Sequence, residues 1–154
     1  MSRLLGILLL MIWGASSDAC DCSYGHLDDT EVKASKVAFV FRLVSVPVSR
    51  DSKELTNRHP VNGRMVIVEN LRGVYSSTRL TYSNHMCCGI RMEVGHFYAV
   101  FLKELDEPLR VNLGNVVHLG MDYVPGDDQS DMLRRIMDGS QTFKSAFGEF
   151  PNRN

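Results

Sequence analysis

The chain has 154 residues, is 44% hydrophobic and 23% charged, and carries a formal charge of −1. That composition is ordinary for one globular domain and leaves out the overall basic excess expected of a nucleic-acid binder. No run approaches the ~18–20 apolar residues that span a bilayer, so neither a nucleic-acid partner nor a transmembrane segment in the mature chain is expected.

The first elements in chain order form a leader. Arg3 precedes the apolar run Leu4 to Trp13, and small residues follow from Gly14 to Ala19. A positive start, a short apolar stretch and a small-residue end make a secretory signal over residues 1–19, with Ser17 and Ala19 fitting the positions three and one before cleavage. The mature chain then begins at Cys20 and keeps a charge of −1. It is long enough for one compact core, here residues 20–140, followed by a tail at 141–154 with no predicted structure. A monomer, secreted or in a bacterial periplasm, is expected.

Export changes the meaning of the thiols. The cysteines are Cys20, Cys22, Cys87 and Cys88, an even number, and outside the cytosol they read as disulfides. Pairing neighbours would make two small strained rings. Both remaining pairings tie the "CDC" stretch to "CCG", closing a loop of roughly seventy residues worth about 4 kcal/mol in the chain-entropy picture. A zinc site is the competing use of four thiolates, but the spacing lacks the paired C-x₂-C of zinc ribbons.

Further along, Asp28 or Asp29 caps a short helix with Glu31 in its first turn. Val37 to Val48 is rich in Val and Phe and reads as a strand buried for most of its length. A polar stretch through Pro60 and Gly63 reads as a loop. Strands follow at 64–75 (leaving through Gly73), 78–84 and Phe97 to Leu105, with a connection through Gly89 and Gly95 before the last of these. A fifth strand over 110–124 is broken around Gly114. From Asp127, the spacing of Met132, Leu133, Ile136 and Met137 predicts a core-facing helix ended by Gly139. The pattern is mainly β: five strands with a short N-terminal helix and a C-terminal helix, for which the five-stranded Greek-key OB-fold barrel is the natural architecture.

Four pieces in order carry a family resemblance: C-x-C at Cys20 and Cys22, an alanine-led strand from Ala34 to Val46, Cys88-Gly89, and Gly95-His96-Phe97-Tyr98 before an apolar strand. The stretch from Cys20 to about Leu102 resembles the netrin-like domain, and more narrowly the N-terminal domain of the tissue inhibitors of metalloproteinases. The resemblance implies an OB barrel and a disulfide from the first cysteine to the Cys-Gly cysteine, which favours Cys20–Cys88 and leaves Cys22 for Cys87. In the inhibitors the second cysteine pairs further downstream, so this chain departs from them there.

The resemblance also implies a chemistry. The family's mature N-terminal cysteine chelates the protease's catalytic zinc through its α-amine and carbonyl oxygen and displaces the attacking water. A catalytic zinc keeps one position for that water, and an α-amine of reference pKa ~7.7–8.0 is partly neutral near neutrality. Carried over, the chelating residue is Cys20, the specificity contact is Asp21, and Cys22, Cys87 and Cys88 support them; the partner is a zinc metalloprotease. Two alternatives remain open: a non-inhibitory extracellular or periplasmic binding module, and a lipoprotein anchored at Cys20. The histidines, His26, His59, His85, His96 and His118, form no H-E-x-x-H pair, and no nucleophile elbow or phosphate loop is present. The chain therefore reads as a non-enzyme with no cofactor.

Overall fold

The computed structural model describes residues 25–47, 60–84 and 89–148. All four cysteines and Asp21 lie outside them, as do His59 and His85. Among the described residues there are six strands, β1 (Val37–Ser45), β2 (Val61–Arg72), β3 (Arg79–Tyr82), β4 (Phe97–Leu102), β5 (Leu109–Val111) and β6 (Val116–Gly120), and three helices, α1 (Asp29–Ala34), α2 (Asp128–Asp138) and α3 (Phe143–Phe147). The strands form one mixed sheet in the order β5-β3-β2-β1-β4-β6. It curls into a half-barrel; every pair is antiparallel except β3 with β5, which is parallel.

The expectation of five strands is corrected to six, and the reason is local. The predicted fifth strand breaks into β5 and β6 at Asn112–Asn115. Asn112 Oδ1 accepts from Gly114 N (2.8 Å), Asn115 Oδ1 accepts from Asn112 N (2.9 Å), and Asn115 Nδ2 donates to the Arg110 carbonyl (2.8 Å). These asparagines give the backbone a turn in place of ladder bonds. The two halves of one predicted strand consequently lie on opposite edges of the sheet.

β1 is buried on both faces from Val37 to Phe41, most of the length its composition predicts, and its outer face opens from Arg42 on. Phe39, Phe41 and Leu43 join an inner cluster with Met65, Leu80, Tyr98, Val100 and Leu109, while Ala38 and Val40 join an outer cluster with Phe101, Leu133 and Ile136. Period-two alternation sends successive side chains to opposite faces, so one strand serves two cores. β2 begins at Val61, earlier than predicted, and takes in Gly63. A Cβ there would meet Leu80 Cδ1 at 3.0 Å and Leu43 Cδ1 at 3.2 Å, so this glycine marks close strand packing and not a turn.

The helices lie on the outer cluster. α1 is capped by Asp28, whose carboxylate accepts from Glu31 N (2.9 Å). α2 is capped by Asp127, which accepts from Gln129 N and Ser130 N, and ends at Gly139 in the left-handed region (φ 85°). Leu133, Ile136 and Met137 are buried, as their spacing predicts, and Met132 is half-buried. α3 falls within the tail for which no element was predicted. Thr142 caps it, Phe143 is buried, and Asp29 accepts from Phe143 N at 2.5 Å, tying α3 to the start of α1. No helix among the described residues is long and apolar enough to cross a membrane.

Two arginines and a glutamate fasten the helices to the sheet. Arg72 at the end of β2 donates to the carbonyls of Lys33, Ser35 and Met137, at 3.2, 2.8 and 3.2 Å. A guanidinium there meets the orphan carbonyls at the C-terminal ends of α1 and α2. Glu69, also in β2, accepts from Ser130 Oγ (2.7 Å), Arg134 (2.7 Å), Gly126 N (3.3 Å) and, by a short bond, the Tyr123 hydroxyl. Burial raises the Glu69 pKa, but these four donors together outweigh it and leave the carboxyl below its ordinary value. Burial and the Glu69 bond push the Tyr123 phenol well above the usual tyrosine range.

Candidate functional site

The residues predicted to carry function, Cys20, Asp21, Cys22, Cys87 and Cys88, lie outside the described residues, so the site is approached through their flanks. The chain enters the described fold at Gly25. Leu27 N donates to the Leu113 carbonyl (3.2 Å), and the Gly25 carbonyl oxygen sits 2.7 Å from where a Gly114 Cβ would be. Only glycine at 114 allows this approach. Residues 25–27 are thus seated on the turn between β5 and β6.

The second flank is the described chain on either side of residues 85–88, which include Cys87 and Cys88: Ile90 N donates to the Ser83 carbonyl (2.7 Å). Ile90 and Met92 then enter the inner cluster, at the end of the half-barrel where β3 finishes and β4 starts. The flanks are neighbours because β3 and β5 pair: Tyr82 stands opposite Val111, and paired strands lie ~4.8 Å apart. One residue past Val111 the turn that seats Gly25 begins. Two residues past Tyr82, at Asn84, the described chain ahead of Cys87 and Cys88 ends.

A titratable group borders the same end. His96 Nδ1 and His118 Nε2 are 2.8 Å apart, their rings stack at 5.1 Å, and Glu93 lies 3.3 Å from His96 Nε2. Tyr98, opposite His118 in the β4–β6 register, accepts from Glu93 N at 2.7 Å. Burial, and then the neighbouring His96, lower the His118 pKa below the ordinary histidine value; Glu93 opposes this only in part. The turn at 93–96 is also tied to β1, with Gly95 N donating to the Leu43 carbonyl (2.7 Å) and Arg42 Nε donating to the Gly95 carbonyl (3.0 Å). Sequence spacing did not reveal the histidine pair, because its members are 22 residues apart and meet only through strand register. No group of three or more His, Cys, Asp or Glu side chains among the described residues could hold a metal ion.

The carboxylates near the helix starts serve structure. Asp28 and Asp127 are N-caps and Asp29 bridges to α3. No family model matches this chain, and no curated protein matches it.

Proposed function

We propose that the chain is an exported netrin-like protein with an OB-type barrel that inhibits a zinc metalloprotease through the α-amine and carbonyl of Cys20. The observation that carries the reading is the convergence of the two cysteine flanks. Residues 25–27, the described chain nearest Cys22, lie on the turn that follows Val111, and the described chain ahead of Cys87 ends two residues past Tyr82, the residue opposite Val111. Cross pairing of "CDC" with "CCG" needs this proximity, since bridged Cα atoms lie ~4.4–6.8 Å apart.

The OB assignment draws support from the strand order. β5 and β6 sit on the two edges of the sheet and are joined through residues 112–115 alone, so one broken strand bridges both edges of the curl. A barrel of this kind closes by that device. Disulfides near the chain end would hold the chelating group in place and reduce the ordering cost of binding.

Asp21 narrows the target. A carboxylate next to the chelating residue requires a protease pocket that offers a cation or backbone donors, because an unpaired buried carboxylate is costly. The test is inhibition of a panel of zinc metalloproteases by the mature chain, beside the same chain acetylated at its α-amine. Inhibition that acetylation abolishes is expected; equal inhibition by both forms, or none across the panel, refutes the chelation.

A further inference from the structure

The outer face of the sheet carries an arginine diagonal that makes no ion pair with a carboxylate among the described residues. Arg42 in β1, Arg64 in β2, Arg79 in β3 and Arg110 in β5 each alternate with residues of the inner cluster: Phe41 and Leu43, Met65, Leu80, and Leu109 with Val111. Alternation therefore sends all four to the outer face. The register aligns them. Arg64 stands directly opposite Arg79, Arg110 opposite Thr81, and Arg42 opposite Val66. The steps from Arg42 to Arg64 and from Arg79 to Arg110 each move two residues along the sheet in the same direction, so three strand spacings and four residues give a stripe of ~20 Å. The helices leave this region open: Val44 and Val66 on the same face are 42% and 50% exposed.

No carboxylate among the described residues neutralises Arg64, Arg79 or Arg110. The six strands hold one carboxylate, Glu69, and it already binds Arg134. Arg42 reaches the Gly95 carbonyl and lies 5.7 Å from the centre of the Phe97 ring. Arg64, Arg79 and Arg110 form no ion pair with a carboxylate among the described residues. Like charges opposite one another weaken a sheet, so the Arg64–Arg79 pair carries a folding penalty that no carboxylate among the described residues offsets. The same pair lines an open cleft of about 530 Å³ with Ser45, Asn62 and Thr78. It forms where the β1–β2 register shifts between Leu43 and Ser45.

We propose that this diagonal binds a sulfated polysaccharide. Arginine's planar fork matches sulfate oxygens two at a time, and hydroxyl and amide side chains in the cleft suit sugar hydroxyls. A single-stranded nucleic acid would need exposed aromatic platforms for its bases; among the described residues Phe101 and Tyr123 on this side are buried, and Phe97 lies under Arg42. The proposal rests on the secretion read in the sequence, which would take the chain to where such polysaccharides occur. The site is independent of Cys20, so the inhibitor reading and this one stand or fall separately.

The test uses the full mature chain with heparin as the probe. For a chain of net charge −1, retention at physiological salt requires a local patch. The variant Arg64→Ser with Arg79→Ser is expected to bind heparin at least ~10-fold more weakly and to lose roughly two from the slope of log affinity against log salt. Its melting temperature should be unchanged or higher, because a like-charge pair has been removed. A control carrying Lys33→Ser and Lys103→Ser loses the same charge elsewhere and should stay within about twofold of the parent. Unchanged affinity in the arginine variant overturns the proposal, as does an equal loss in the control. Duplex DNA binding as tightly as heparin overturns it too, and would make the diagonal a nucleic-acid surface.

Discussion

Glu69→Ala removes the acceptor that joins β2 to the segment before α2 and to α2 itself. Glu69 is 11% exposed, and two of its donors, the Tyr123 and Ser130 hydroxyls, belong to residues only 4% and 0% exposed. Leaving a buried hydroxyl without a partner costs roughly 1–1.5 kcal/mol at the low end of the usual range, so the two together cost about 2–3 kcal/mol. Arg134 is 47% exposed, and its pair with Glu69 adds under ~1 kcal/mol once solvent screening is counted. The expected total is about 3 kcal/mol, a large share of a typical domain's ~5–15 kcal/mol. Urea unfolding followed by far-ultraviolet dichroism measures it. Tyr123→Phe, which removes one donor and leaves the carboxylate its other three, should cost about 1 kcal/mol. A loss below ~1 kcal/mol for Glu69→Ala would refute the view that this carboxylate holds α2 to the sheet. The sign with pH follows from the depressed Glu69 pKa. Its contribution is full above the ordinary carboxylate value and is lost as pH falls through the lower, folded-state value.

Two other outcomes are expected. Gly114→Ala places a methyl 2.7 Å from the Gly25 carbonyl oxygen, so it should cost about 1–3 kcal/mol and expose the segment after Cys22 to limited proteolysis; an unchanged digestion pattern would contradict the seating of that segment. The lowered His118 pKa means that the unfolded chain takes up a proton that the native one resists, so stability should fall as pH drops below ~6.5. His118→Gln should flatten urea midpoints between pH 7 and 5; an equally steep decline in the variant would refute the assignment.

Much of the fold is legible in the sequence because its signals are local. Alternation and β-branched residues place β1 and β4, and Asp127 and Gly139 bound α2 within a residue. The pattern misled where one residue type serves two ends. Gly63 looks like a turn and is instead a packing contact under Leu80. The Asn112–Asn115 turn divides a stretch whose apolar character suggested one broken strand. α3 was missed because Phe143 and Phe147 make too short a period to detect, and their burial depends on Asp29 and the outer cluster. The cysteines of the proposed site lie outside the described residues, and only their flanks can be compared with the sequence. Proximity of its flanks comes from the parallel β3–β5 pairing, which no local pattern encodes. The arginine diagonal was hidden for the same reason: its members are spread over four strands, and the net charge of −1 conceals them.

The most direct measurement is the intact mass of the exported chain before and after reduction, followed by a peptide map. A start at unmodified Cys20, a gain of about four hydrogens on reduction, and peptides linking Cys20 and Cys22 to Cys87 and Cys88 are the results the account predicts. A different start, a lipid on Cys20, or free thiols in the exported protein would contradict it, because each removes either the chelating amine or the staple that holds it.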